Sequence, residues 1–176
     1  DGVIRAVKVA DGSLVWQRRL AGGISGAASE ADGVVYVGDE GGVVWALSAR
    51  EGQVVWKQET GCHVMSAPVV SGEDLVVGLV SPTRLAPPKV PYLVCIDRRT
   101  GQVKWRVVGA RSIFASPVVM ANGVRYISVE GYLSQTLLRC QAADGQKELY
   151  KVRLGGVVDS SPALAGNLLF FGAHDG

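Results

Sequence analysis

The chain has 176 residues, a formal net charge of +2, 48% hydrophobic residues and only 19% charged ones. That balance fits a β protein with a large buried fraction and excludes a basic nucleic-acid binder. Its apolar runs are strand-sized and broken by glycine or charge, so no transmembrane helix and no membrane insertion are expected.

Along the chain the predicted elements are short strands joined by turns, and nothing reads as a helix longer than one turn. Residues 1–24 form the outer hairpin of a first unit: Val3-Ile4-Arg5-Ala6-Val7, a turn at Asp11-Gly12, then Trp16. The start, Asp1-Gly2-Val3, reads as already inside a repeat, with no signal peptide. The unit over 25–61 opens at Ser25-Gly26-Ala27, turns at Asp32-Gly33 into Val34 to Gly38, and closes with a hairpin from Val43 to Thr60 around Arg50-Glu51-Gly52-Gln53. The unit over 62–109 has Ser66-Ala67-Pro68, a turn at Gly72-Glu73-Asp74, then Thr100-Gly101 and Trp105. The unit over 110–155 has Ala115-Ser116-Pro117, Asn122-Gly123 and Asp144-Gly145. Residues 156–176 form a last inner hairpin with Ser160-Ser161-Pro162 and Gly166-Asn167.

A glycine is followed four residues later by a bulky side chain in each unit: Gly12 to Trp16, Gly52 to Trp56, Gly101 to Trp105 and Gly145 to Leu149, at intervals of 40 to 49 residues. Such a period identifies a repeat protein. Four short antiparallel strands per unit make a blade of a β-propeller, in which radial packing leaves only short edges. The glycine supplies the positive φ of a tight turn. Trp16, Trp56, Trp105 and Leu149 are the expected blade-docking residues, folding across the junction with the neighbouring blade.

The three cysteines, Cys62, Cys95 and Cys140, cannot all pair, and none is spaced as a CxxC. Cys95 and Cys140 occupy the same strand in successive units and read as small core residues. His63 and His174 have no cysteine or carboxylate at ligand spacing, so no zinc site is expected.

The composite pattern in Tyr92-Leu93-Val94-Cys95-Ile96-Asp97-Arg98-Arg99-Thr100-Gly101-Gln102-Val103-Lys104-Trp105, followed by Ser-x-Pro and an apolar strand ending in glycine, resembles the pyrroloquinoline-quinone-type (PQQ-like) propeller repeat. Trp45 to Trp56 carries the same pattern, and the resemblance extends over the whole chain. It implies an all-β propeller of about four units, part of a seven- or eight-bladed ring. Known members include quinone-dependent dehydrogenases, the lipoprotein of the outer-membrane β-barrel assembly machinery, and sensor or scaffold domains. The dehydrogenases carry an adjacent Cys-Cys pair over the cofactor and a Ca²⁺ site of Glu, Asn and Asp; this chain has no Cys-Cys pair. The resemblance therefore implies a non-enzymatic binding or scaffold module without cofactor, nearest in character to the assembly lipoprotein, with a periplasmic or otherwise extracytoplasmic location. The alternatives are part of a dehydrogenase using PQQ and Ca²⁺, or the sensory propeller of a multidomain receptor, kinase or synthetase.

The two ends of the chain are in the same phase of the repeat, because Gly172 to Gly176 matches Gly38 to Gly42. A half of an eight-bladed ring, a closed four-bladed ring and an open arc all satisfy this phase. The expected partners are accordingly a protein, the remaining blades, or a second copy completing a ring as a homodimer.

On the expected binding face, His63, Arg111 and Asp159 occupy similar positions in successive units and would line the mouth of the central channel. They read either as a site for a polar ligand or peptide terminus, or as solvated residues without a ligand. The longest departure from the repeat is the insertion from Ser81 to Pro91, where four prolines favour polyproline II and Arg84 and Leu85 are candidate partner contacts. Ser25, Ser66, Ser116 and Ser160 read as small residues where inner strands crowd the channel, since no Gly-x-Ser-x-Gly elbow accompanies them.

Overall fold

Runs of Val, Ile and Leu broken every few residues by Gly, Asp or Pro favour strands over helices. The computed structural model describes residues 2–82, 90–109, 113–120, 125–130, 136–145, 147–156, 158 and 160–173. Their strands form five antiparallel sheets in chain order. A two-stranded sheet holds β1 (Val3–Val7) and β2 (Leu14–Arg19). A four-stranded sheet follows: β3 (Ser29–Ala31), β4 (Val34–Gly38), β5 (Val43–Ser48) and β6 (Val54–Glu59). The next holds β7 (Val69–Ser71), β8 (Asp74–Gly78), β9 (Val90–Asp97) and β10 (Val103–Gly109). The fourth holds β11 (Val118–Val119), β12 (Arg125–Glu130), β13 (Thr136–Ala142) and β14 (Glu148–Leu154). The last two strands are β15 (Ala163–Ala165) and β16 (Leu168–Phe170). Each strand pairs with its sequence neighbour, so the molecule is a β-propeller segment.

The outer hairpins share one irregularity. Ala6 faces Trp16 and then Val7 faces Leu14; Ala46 faces Trp56 and then Leu47 faces Val54; Cys95 faces Trp105 and then Ile96 faces Val103. The skipped residue is a β-bulge, which sharpens the twist at the point where each indole turns toward the next sheet. In the fourth unit Cys140 faces Tyr150 and then Gln141 faces Glu148. Tyr150, not Leu149, therefore holds the ladder position of the tryptophans: the hairpin has the same length as the others, but Gly145 stands five residues after Cys140 where Gly101 stands six after Cys95. Leu149 is the bulged residue and packs with Leu138, Cys140, Val158 and Leu169 toward the last sheet. Tyr150 is left 45% exposed.

The core lies between sheets. Tyr36, Val44 and Ala46 of one sheet meet Leu75, Val77, Val94 and Ile96 of the next, with Trp56 against them. The Trp56 ring lies 5.9 Å from that of Tyr36. A Cβ placed on Gly52 would come 2.6 Å from the Trp16 ring, and one on Gly101 2.8 Å from the Trp56 ring. These turn glycines are thus required twice, for a positive φ of 67° and 76° and for the space the indole fills.

A second set of junctions lies at the ends of the second strands. Val64 presses on Gly38, where a Cβ would lie 2.0 Å from Val64 Cγ1, and Ile113 presses on Gly78 at 2.7 Å. Each aliphatic knob comes from the connector leaving a sheet and fills the glycine hole at the end of that sheet's second strand.

The pairing of Ser29 with Tyr36 and of Val69 with Val76 aligns Gly26 with Ser66. Ser25 is thus displaced by one residue from the serine series, and Ser116 aligns with Ala67 and Ser161. The Ala67 N–H donates to Ser116 Oγ at 3.0 Å, and the Ser116 N–H to Ser161 Oγ at 3.0 Å. These hydroxyls stitch one inner strand to the next, using acceptors that the backbone amides would otherwise lack.

Candidate functional site

The face that carries the connectors and the loops between second and third strands is built around Asp39. This residue is fully buried at the start of the β4–β5 loop. Its Oδ1 accepts the Val43 N–H at 3.0 Å, and its Oδ2 accepts the Trp45 indole N–H at 2.8 Å and the Gly22 N–H at 3.3 Å. Its carbonyl accepts the Val64 N–H at 3.1 Å. Asp39 thus holds its own hairpin and the preceding connector through its carboxylate and the following connector through its carbonyl, and the buried carboxylate oxygens are hydrogen-bonded.

Beside it, the Glu40 N–H donates to the Gly23 carbonyl at 2.8 Å, and the Ser25 hydroxyl donates to Glu40 Oε1. His63 is held by its backbone, which exchanges hydrogen bonds with Val80 at 2.9 and 2.8 Å. Its Nδ1 meets the Glu40 carbonyl. A carbonyl can only accept, so Nδ1 carries a proton. The Thr60 hydroxyl, buried, bridges the Gly42 and Cys62 carbonyls at 2.9 and 2.7 Å.

Ser25, Glu40 and His63 form a polar rim that can accept and donate hydrogen bonds. The Ser25 hydroxyl is engaged by Glu40 Oε1 rather than by the imidazole, so the pair is not a serine relay. Neither does the donor set fit a Ca²⁺–quinone group. The Asp39 oxygens are committed to the hydrogen bonds above, and among the described residues no group of three or more His, Cys, Asp or Glu could hold a metal ion. Cys95 and Cys62 do not supply reactive sulfur: burial, followed by the charge of Asp74, pushes Cys95 up to about 12, and burial raises Cys62.

Of the residues singled out from the sequence, His63 stands on this face, and Arg111, Asp159, Arg84 and Leu85 lie outside the described residues. Trp16 and Trp56 lie at sheet junctions, their indole N–H groups donating to the Ala49 and Arg98 carbonyls at 2.9 Å each. Trp105 packs at the next junction, where a Cβ on Gly145 would come 2.4 Å from its ring. Sequence reasoning missed Asp39, the knobs Val64 and Ile113, and Arg98. The Arg98 side chain ties Asp32 at 2.5 Å and the Gly72 carbonyl at 2.5 Å across a junction. The knobs had a legible signal: Ile24, Val64, Ile113 and Val158 each stand two residues before the small residue that opens an inner strand. A further junction is polar, where Arg139 Nη1 donates to the Tyr92 hydroxyl at 3.0 Å and pairs with Glu148 at 3.3 Å.

Residues 1–81 match the family described as outer membrane protein assembly factor BamB. Among individual proteins, the chain is 25% identical over 136 residues to BamB of Legionella pneumophila (strain Paris), covering 77% of this chain and 33% of the relative. It is 30% identical over 115 residues to BamB of Yersinia pestis, covering 59% and 27%. The chain thus spans about a third or less of the curated relatives it matches. Among solved structures, BamB from Moraxella catarrhalis superposes with a TM-score of 0.74 at 20% identity, over 99% of this chain and 50% of that one. Quinohemoprotein alcohol dehydrogenase from Comamonas testosteroni superposes with a TM-score of 0.77 at 17% identity, over 93% and 34%. Both share the propeller fold.

Proposed function

We propose, for a chain that is a PQQ-like β-propeller segment resembling outer membrane protein assembly factor BamB, that it serves as a non-enzymatic, protein-binding scaffold in outer-membrane protein assembly, on the extracytoplasmic side. The observation that carries this reading is the sequence similarity to BamB over 136 residues, whereas the quinohemoprotein dehydrogenases are similar in fold at 17% identity. The geometry agrees with it. Asp39, Thr60 and the inner-strand serines are spent on holding sheets together. What the face offers outward is the hydrogen-bonding rim of Ser25, Glu40 and His63, suited to a polypeptide.

A dehydrogenase segment is the competing reading, because its fold is equally close. The two separate on a titration of the full-length protein with PQQ and Ca²⁺. The scaffold reading expects no bound-quinone absorbance and no dye-linked alcohol oxidation, together with reduced outer-membrane β-barrel protein levels when the gene is deleted. Saturable quinone binding with turnover would overturn it.

A further inference from the structure

We propose that the wall of the fourth sheet that faces the third, built on β13 and β14, is a docking surface for an extended acidic segment of a partner protein. The surface lies apart from the rim of Ser25, Glu40 and His63, and it holds whichever role that rim plays. Arg139 of β13 faces Lys151 of β14, and facing residues project from the same side of a sheet. Arg153, two residues beyond Lys151, projects from that side as well. Arg139 shows which side it is: its Nη1 donates to the Tyr92 hydroxyl at 3.0 Å, and its guanidinium carbon lies 5.5 Å from the centre of the Tyr92 ring. Tyr92 belongs to β9, so the three cations line a trough whose two walls are four-stranded sheets.

The repeat shows how far this wall departs from the others. At the places of Arg139, Lys151 and Arg153 the second sheet has Trp45, Lys57 and Glu59, and the third has Val94, Arg106 and Val108. The three places thus carry one positive and one negative charge in the second sheet, one positive charge in the third and three in the fourth. In the second sheet the single ammonium is used within the wall, with Lys57 Nζ 5.7 Å from the Trp45 ring centre. In the fourth, two cations stand directly opposite each other, which is unfavourable by itself. Glu148 offsets part of this, with Oε2 3.3 Å from Arg139 Nη1 and Oε1 3.9 Å from Lys151 Nζ. Three positive charges less this negative one leave two in excess, and Arg153 makes no hydrogen bond or ion pair among the described residues. Glu130, on the Arg153 rung through Leu137, stands two strands away, about 9–10 Å.

An extended acidic segment answers this pattern. Lys151 and Arg153 are two residues apart on one strand, about 6.5–7 Å, and carboxylates at alternate positions of an extended segment have the same spacing. Arg153 takes a carboxylate as a two-pronged fork, and Lys151 takes one as a point charge. A planar anionic membrane would reach the Lys151 side chain, 59% exposed, but not that of Arg139, which is 22% exposed against Tyr92. A narrow chain fits a trough of this kind.

Fluorescence anisotropy on the full-length protein tests the proposal, with a fluorescein-labelled peptide of four Asp-Ser repeats and a second peptide of four Lys-Ser repeats as probes. The acidic peptide is expected to bind, more weakly as NaCl rises from about 50 to about 300 mM, and the basic peptide is not. Lys151→Glu/Arg153→Glu, with an unchanged far-UV circular dichroism spectrum, is expected to lower the affinity for the acidic peptide at least about tenfold and to confer binding of the basic one. Lys57→Glu, at the same place in the second sheet, is expected to leave the affinity for the acidic peptide unchanged. No binding of the acidic peptide, whether or not phosphatidylglycerol vesicles bind, would overturn the proposal. So would an equal loss in Lys57→Glu, or a double variant that loses the acidic peptide without gaining the basic one.

Discussion

The Trp56 indole N–H donates to the Arg98 carbonyl at 2.9 Å, and the same carbonyl accepts the Tyr36 hydroxyl at 3.2 Å. One backbone oxygen in the turn of the third sheet thus anchors two aromatic rings of the second. The contact joins blades through a polar tip while the rings bury their apolar faces. Trp56→Ala is expected to cost about 3–5 kcal/mol, and Trp56→Phe about 1 kcal/mol from the lost hydrogen bond plus a smaller packing loss. Urea unfolding midpoints measure both, and a Trp56→Ala midpoint equal to that of the parent would contradict the account.

The Gly38–Val64 junction predicts a rescue. Gly38→Ala forces a methyl group into the valine and is expected to cost about 1–3 kcal/mol by overpacking. Adding Val64→Ala removes the obstacle, so the double variant is expected to be more stable than the sum of the two single costs predicts. Strict additivity in a double-mutant cycle would show that the two residues do not press on each other.

Ser116 carries one stitch between inner strands. Ser116→Ala takes away the acceptor of the Ala67 N–H and is expected to destabilise by about 1–3 kcal/mol. Ser25→Ala, which removes a bond at an exposed rim, is expected to cost less than about 1 kcal/mol. Thermal unfolding of the two variants side by side reads the difference, and a reversed order would refute the assignment of Ser116 to the ladder.

Much of the fold was legible because its junctions use residues with a strong local signature. A turn glycine followed by tryptophan is visible in sequence, and it marks the turn and the ring that crosses to the next sheet. The knobs were harder to see, since nothing local in the sequence pairs Val64 or Ile113 with the glycine holes that face them. Register misled at two places. The unit over 25–61 lacks the proline that aligns the others, so Ser25 groups with Ser66 by residue type although Gly26 holds that place. The fourth carries its turn glycine one residue earlier, so the spacing from Gly145 points to Leu149 where the ladder places Tyr150. At the candidate site, His63 is singled out by its place in the repeat, whereas no motif marks Asp39. Its role depends on Gly22 and Trp45, which only the folded chain brings to it.

Asp97 gives the stability an acid dependence. Its carboxylate accepts the Thr100 N–H at 2.9 Å, the Thr100 hydroxyl at 3.0 Å and the Arg99 N–H at 3.0 Å, and these bonds, the Thr100 amide first, hold its pKa below the ordinary aspartate value. A carboxylate depressed in the folded state binds its proton more readily when unfolded. Its contribution is therefore present above about pH 4 and is lost as the pH falls through the folded value. Asp97→Asn is expected to lower Tm at pH 7 and to differ less from the parent at pH 3. A Tm gap that stays constant over that range would rule out the linkage.

Photo-cross-linking from position 63 of the full-length protein in cells tests the scaffold role most directly, because His63 stands on the polar rim beside Glu40. The account predicts a discrete covalent adduct with a protein of the outer-membrane assembly machinery, and none from a probe at the exposed turn position Glu51 on the outer hairpin. No adduct from position 63, together with saturable PQQ binding and dye-linked alcohol oxidation, would contradict it.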